Sequence, residues 1–461
     1  MNGSRLPVPP TLDALAAELA AGRTTAVALA EAALARARDP AGEGARVFTT
    51  LGAERALAAA RASDLLRSAG VVRSPLEGIP VSVKDLFDVA GEVTTAGSAV
   101  LRGAAAATRN APVIDRLVAA GAVIVGRTNM SEFAFSGVGL NPHYGTPANP
   151  WERAARRIPG GSSSGAAVSV TDGMAALAIG SDTGGSVRIP AALCGITGFK
   201  PTQRRVPTEG ALPLSTSLDS IGPLAASVRC CAIADAILAG EPAVAPPALT
   251  VAGARLAVPE TVVLDGLDAT VAAAFEAALG RLSAAGARIT RIVVPEFAEF
   301  AALHGRGTLA AAESWAWHRG LLAARAAEYD PRVVSRIRGG ERMNAADYID
   351  LLAARRQWIA QVEARIAGFD ALALPTVPMV APPIAELEAS DEAFFAANGR
   401  ILRNPSLINF VDGCALSLPC HEPGAAPVGL MLAAPGGHDA VLLALGQGVE
   451  TALAANGEMA T

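Results

Sequence analysis

The stretch PGGSSSGAAVSVTDGMAALAIGSDTGGSVRIPAALCGITG, Pro159 to Gly198, holds two glycine-flanked serines, and nothing else in the chain constrains its fold as much. Ser162 and Ser186 each follow a Gly-Gly pair, and neither has a histidine nearby. Glycine reaches backbone conformations that bring an amide N–H close to a ligand. A serine on such a turn can be presented to a substrate, while the turn's N–H groups face a developing oxyanion. One Gly-Gly-Ser by itself reads as a flexible turn. Two of them around an apolar segment, with Asp182 before the second and Arg188 just after it, form a pattern that turn chemistry alone does not explain. The apolar run around Ala166–Gly180 is expected to be a helix buried between the two serine loops.

Upstream, LEGIPVSVKDLFDV (Leu76–Val89) holds an apolar, β-branched run from Ile79 to Val83 that ends in Lys84-Asp85. Its composition predicts a strand with Pro80 near the start. A lysine closing a buried strand is unusual, because charged side chains are rarely buried without a partner. Read alone, the pair fits a surface lysine matched with Asp85.

Gly161-Ser162-Ser163-Ser164-Gly165 also presents G-x-S-x-G, which in α/β-hydrolases needs a preceding strand and a downstream acid and histidine. The residues before it, WERAARRIP, are charged and turn-rich. None of His143, His304, His318, His421 and His438 sits in a catalytic setting. His143, in NPHYG, reads as a loop stabiliser.

A net charge of −5 and the lack of a basic run give no nucleic-acid footprint. The densest arginine cluster, Glu152–Arg157, reads as a solvated loop. No apolar run reaches the roughly 18 residues that suggest a membrane span, and MNGSRLPVPP lacks a signal-peptide core. Five cysteines (Cys194, Cys230, Cys231, Cys414, Cys420) without paired spacing read as reduced thiols. These features predict a cytoplasmic enzyme with no metal and no cofactor.

Leu12, Leu15 and Leu19 recur at helical spacing before Gly22, and Thr24-Thr25 can cap a helix to about Ala37. Ala53–Leu66 and Val113–Ala120 read as helices, and Ala122–Val125 as a strand. ARLAVP and ARITRIVVP read as strands around a helix whose Val271, Phe275, Leu279 and Leu282 line one face. The alternation is an α/β pattern. PAVAPPALT (Pro242–Thr250) is the one candidate linker, and it is expected to join halves of one sheet system.

The serine loops and the lysine segment together resemble the amidase signature family. GGSSSG, SDTGGSVRIPAALCG and GIPVSVKD each fall where that family has them. AGAVIVGRTNMSEFAFSG (Ala120–Gly137) is similar to its asparagine-containing loop, and YGTPANPW (Tyr144–Trp151) to the segment that follows. Gly198–Ala225 continues the likeness, and FDALALPTVPMVAPPI and LPCHEPGAAPVGLMLAAP resemble the family's C-terminal half. The resemblance implies one α/β domain over residues 1–461, a central mixed β-sheet covered by helices on both faces. Its signature core spans about 70–228, and the C-terminal half, 250–455, belongs to the same fold.

Carried over by position, the nucleophile falls on Ser186, the bridging serine after a cis peptide on Ser162, and the base on Lys84. The oxyanion-hole N–H groups fall on Thr183, Gly184, Gly185 and Ser186, with Gly161, Ser163, Asp182 and Arg188 in support. Ser164 stands where the family often has glycine, and Arg127 where it often has lysine. Lys84 must be neutral to act as base, which burial would achieve by lowering its pKa to about 8.

The activity implied is hydrolysis of a small neutral amide, aryl or arylalkyl, to an acid plus an amine or ammonia. Carbamate or ester hydrolysis by the same groups is the alternative. A third reading is the amidase component of a glutamyl-tRNA amidotransferase, which works with partner subunits, and a fourth is a non-catalytic binding protein on the same scaffold. A stand-alone monomer or homodimer is expected. By analogy Asn129, Met130, Phe133, Ala134, Phe135, Tyr144, Trp315, Phe410 and Cys414 line the pocket, although each aromatic reads equally as core packing. No arginine or lysine is placed by the sequence to read a substrate carboxylate.

Overall fold

Short apolar, β-branched runs become buried strands in the structure, a computed structural model that describes residues 9–455. Residues 1–8, where the sequence shows no signal-peptide core, lie outside the described residues. The strands are β1 (Phe48–Leu51), β2 (Pro80–Lys84), β3 (Val123–Thr128), β4 (Leu177–Asp182), β5 (Thr197–Lys200) and β6 (Ser220–Ala225). The C-terminal half adds β7 (Arg255–Pro259), β8 (Arg288–Ile292), β9 (Ala371–Pro375), β10 (Cys414–Pro419) and β11 (Gly429–Ala434). They form one 11-stranded sheet in the order β1-β3-β2-β4-β6-β5-β10-β11-β9-β7-β8. The sheet is mixed: β2 runs parallel to β3 and β4, and β7 to β8 and β9, while the strands between are antiparallel.

The period-two geometry of a strand sends alternate residues to opposite faces. Leu177, Ile179 and Ile221 join one core, with the helices Val228–Ala239 and Asp439–Ala455. Ala178 and Leu224 join the other, with the helices Ala26–Arg38, Ala53–Ser68 and Ser164–Thr171. Helices thus cover both faces of a single α/β sheet. At one edge β8 is largely exposed and carries Arg288 and Arg291, charges of the kind that discourage edge-to-edge pairing.

One helix starts at the cap read from the sequence: the Thr25 hydroxyl accepts the Ala28 N–H at 3.0 Å. Pro242–Thr250 is irregular, and Leu249 N–H donates to the Ala444 carbonyl at 2.9 Å, tying it to the last helix. The halves it joins meet where β5 pairs with β10. The run Ala166–Gly180 is not one helix. The helix Ser164–Thr171 stops, Gly173 turns with φ +67°, and Leu177 begins a central strand. A strand buried on both faces has no alternation, so its apolar run cannot be told from a buried helix by periodicity. Among the described residues no helix is long and apolar enough to cross a membrane, and no cluster of ligating side chains could hold a metal. All five cysteines are free and buried.

Candidate active site

Lys84 closes β2, which is buried along its whole length. Ser82 and Lys84 share one strand face, the face against the helix Ser164–Thr171, where Ser82 and Ser169 hydroxyls meet at 2.8 Å. Two residues on, Lys84 Nζ donates to Ser162 Oγ at 2.7 Å and to Ser181 Oγ at 2.8 Å. The side chain is fully buried and forms no surface pair with Asp85. Asp85 instead holds Arg127 at 2.7 Å. Burial lowers the Lys84 pKa to about 7, against the opposing pull of Asp219 and Asp182. That is below the value of about 8 expected from the sequence. Burial also pushes Asp219 up to about 6, although the Thr183 hydroxyl and the N–H groups of Leu214 and Ser215 donate to it.

β4 runs beside β2 in parallel, so its carboxyl end delivers the second serine loop next to Lys84. This is where open α/β sheets place their ligand sites. The Gly161–Ser162 peptide is cis. Gly161 N–H donates to Gly137 O at 2.8 Å and Ser131 N–H to Ser162 O at 3.1 Å, so the first loop is fixed from both sides. Ser163 ties the loops together: its N–H donates to Ser186 O at 3.3 Å and its hydroxyl to Ser181 O at 3.4 Å.

The second loop folds around Asp182. Its carboxylate accepts Gly185 N–H at 2.8 Å, Val187 N–H at 3.1 Å and Asn409 Nδ2 at 2.9 Å, and it pairs with Arg188 at 2.9 Å. Burial alone would raise the Asp182 pKa, but Arg188 outweighs it and holds the group well below the usual carboxylate range. Asp182 and Arg188 therefore shape the loop. The Gly185 N–H is spent on Asp182, which removes it from the expected oxyanion-hole set. The N–H groups of Thr183, Gly184 and Ser186 have no protein partner among the described residues, and these three residues line a cavity.

The cavity measures about 240 Å³, which restricts it to small molecules. Its walls are mainly apolar: Phe135, Leu214, Phe300, Leu309, Leu402 and Phe410. Of the pocket residues expected from the sequence, Ala134, Phe135 and Phe410 stand in the wall. The others do not. Asn129 staples loops, donating to Arg46 O at 2.9 Å and Gly145 O at 2.6 Å, and Met130 is buried beside Gly97. Phe133 packs on His318 with ring centroids 4.3 Å apart, and Trp315 packs against the main core. Tyr144 lies under Arg102, 4.7 Å from the guanidinium carbon, and Cys414 is buried at the start of β10. His143 holds Glu132 at 2.9 Å, as a loop stabiliser would.

Two basic wall residues were not among the site residues expected from the sequence. His304 lies against Phe410 with tilted rings, centroids 4.8 Å apart, and burial lowers its pKa. Arg336, from the helix Pro331–Arg338, sits with its guanidinium carbon 4.6 Å from the centre of the Phe135 ring. Its Nε is buried without a partner, and its guanidinium makes no hydrogen bond or ion pair among the described residues. Burial is the one cause that lowers its pKa, to about 10, which leaves it charged at neutral pH. By surface area Arg336 is half-buried, and a cation–π contact of this kind contributes about 0.5–2 kcal/mol.

The amidase family profile matches residues 28–443. The 2-amino-5-chloromuconic acid deaminase of Comamonas testosteroni is 39% identical over 410 residues, 87% of each chain. A glutamyl-tRNA(Gln) amidotransferase subunit of Chloroflexus aggregans is 36% identical over 95% of each chain. A crystal structure of an amidase superposes with a TM-score of 0.85 at 34% identity, covering 96% of this chain and 99% of that one. With the profile spanning nearly the whole sequence and such relatives matching end to end, this chain belongs to the amidase family and is an enzyme that hydrolyses carbon–nitrogen bonds.

Proposed function

We propose that the chain works alone on a small linear amide, with Ser186 as nucleophile, Ser162 as proton relay and Lys84 as base. The observation that carries this reading is Lys84: a buried amine, its pKa lowered to about 7, 2.7 Å from Ser162 Oγ. A serine hydroxyl is a weak nucleophile until a neighbour takes its proton. Neutral Lys84 accepts the Ser162 proton, and Ser162 accepts that of Ser186 as its Oγ attacks the amide carbon. The N–H groups of Gly184 and Ser186, with Thr183, receive the oxyanion; a single donor of this kind is typically worth about 2.7–4 kcal/mol. The relay then returns the proton to the departing nitrogen, the C–N bond breaks, and amine or ammonia leaves an acyl group on Ser186. Water, deprotonated by the same relay, releases the acid. Carbamates and esters present the same electrophile and fit the same machinery.

The test compares an amide and a carbamate that release the same amine, using purified wild type and Ser186→Ala. Turnover is expected to fall by at least about 10⁴-fold in the variant, as for other serine nucleophiles. Wild-type protein quenched during turnover should carry the acyl mass on Ser186. Turnover that persists in Ser186→Ala would remove Ser186 from the nucleophile role. The end-to-end similarity to a component of an amidotransferase favours a second reading, an obligate partner. A wild-type chain inert toward every amide until other subunits are supplied would establish it.

A further inference from the structure

A second cavity adjoins the first, and its walls carry the opposite charge. It measures about 410 Å³ and shares Ala134, Thr183 and Leu214 with the wall of the Ser186 cavity. Ser181, Thr208, Glu209, Asp219 and Ser220 make its lining polar, and among the described residues no arginine, lysine or histidine stands in it. Glu209 is exposed and already paired with Arg109, at 2.6 Å. Asp219 has hydrogen-bond donors but no ion pair among the described residues: it accepts the Thr183 hydroxyl and the N–H groups of Leu214 and Ser215. Lys84, whose pKa the Asp219 charge raises, is neutral when it serves as base.

Its place beside the relay decides what it can hold. Ser181 Oγ accepts from Lys84 Nζ at 2.8 Å and also lines this cavity, which therefore opens on the lysine side of the relay. The departing nitrogen has to lie on that side to take the relay's proton. The acyl half is left to the apolar walls around Ser186. Ammonia, about the size of one water, would leave most of the second cavity unfilled. We propose that this cavity receives the leaving group, and that the leaving group is a short amine carrying a second, cationic nitrogen paired with Asp219. This rests on the hydrolytic reading above and deepens it by naming the amine half of the substrate. Leu86, Ala211 and Ile221 give the linker between the two nitrogens an apolar surface. Thr183 couples the two halves, since its hydroxyl holds Asp219 and its N–H faces the Ser186 cavity wall where the oxyanion forms. A charge-assisted contact of this kind is about twice as strong as a neutral one, so the site prefers a cationic tail to a neutral tail of equal length.

The experiment uses full-length Ser186→Ala, which keeps Asp219 and lacks the nucleophile. N-(3-aminopropyl)butyramide and N-butylbutyramide, equal in length, are titrated by calorimetry at about pH 8. There the tail amine, ordinarily near 10.4, is charged, and Asp219, at about 6, is ionised. The cationic amide is expected to bind about tenfold tighter or more, the scale of a hydrogen bond to a charged group. Adding Asp219→Asn should cut that preference to about threefold or less, a ratio that a change in Lys84 alone would not move. Equal binding of the two amides overturns the proposal, as does a preference that survives Asp219→Asn or is lost in Glu209→Gln instead. Should Asp219→Asn fail to fold, the wild type decides by acyl transfer. 4-Nitrophenyl butyrate acylates Ser186; a free amine then attacks the acyl carbon, the bond to Ser186 Oγ breaks, and the relay passes the amine proton to that oxygen. At equal free-base concentration 1,3-diaminopropane should capture about tenfold more acyl groups than butylamine, and equal capture overturns the proposal. The wild type acting on the two amides separates the claims. A cationic amide that binds preferentially but is not cleaved defeats the hydrolytic reading and leaves the amine site standing. A neutral amide cleaved as efficiently as the cationic one defeats the amine site and leaves hydrolysis standing.

Discussion

At Lys84 burial and the charge of nearby carboxylates pull in opposite directions, and burial wins. Removal from water disfavours the ammonium, and nearby Asp219 and Asp182 only partly restore it. If the neutral amine is the base, kcat/KM rises tenfold per pH unit below about pH 7 and levels off above it. The sign of the next effect follows from the charges. Asp219 raises the Lys84 pKa, so Asp219→Asn moves the midpoint of the pH profile to lower pH. A midpoint that stays put or moves upward in steady-state profiles would rule out that coupling. Ser162 and Ser186 stood out in the sequence by their loop glycines, and Lys84 by its place at the end of an apolar strand, but read alone the lysine fitted a surface pair with Asp85, and its proposed role came from the family resemblance. Arg336 did not stand out: with Arg332 four residues before it, it reads as one more solvated helix charge. Only the partner of Arg332, Asp391, and the lack of one for Arg336 tell them apart.

At the scale of the element, the second serine loop depends on Gly185. Its φ is +125°, and a Cβ there would lie 2.5 Å from Pro405 Cβ and 2.6 Å from Ile189 Cδ1. Both neighbours are packed, so Gly185→Ala forces the loop to move. We expect a loss of about 1–3 kcal/mol from overpacking, read as a lower melting temperature. Activity should fall by at least about 100-fold, since the loop's N–H groups would leave their positions. A variant with wild-type melting and turnover would show that the loop tolerates the shift. The same region contains the clearest misreading, Ala166–Gly180, where a helix and a buried strand present one continuous apolar run. The partition is settled by what each half packs against.

For the whole molecule, the pairing of β5 with β10 couples the two halves of the chain. The Asp182 carboxylate is likewise held by Asn409, and the cavity is closed by Phe300, Arg336 and Phe410 from the C-terminal half. A fragment ending at Glu241 would expose the β5 edge and an open cavity. It should be recovered as aggregate, whereas co-expression with residues 242–461 should restore soluble, active protein. A soluble N-terminal fragment with a cooperative melt would show that its half of the sheet is self-sufficient.

The sequence by itself indicated the α/β class and several helices, and through the family resemblance it named candidate reacting groups, because turn glycines, caps and strand composition act within a few residues. The tertiary structure alone decided which neighbours those groups meet. It withdrew Gly185 from the free N–H groups by giving it to Asp182, and placed Asn129 and Phe133 in the framework. It also brought an unpaired cation from residue 336 into the wall of the Ser186 cavity. Burial and ion pairing depend on contacts between residues far apart in the chain, and no local pattern encodes them.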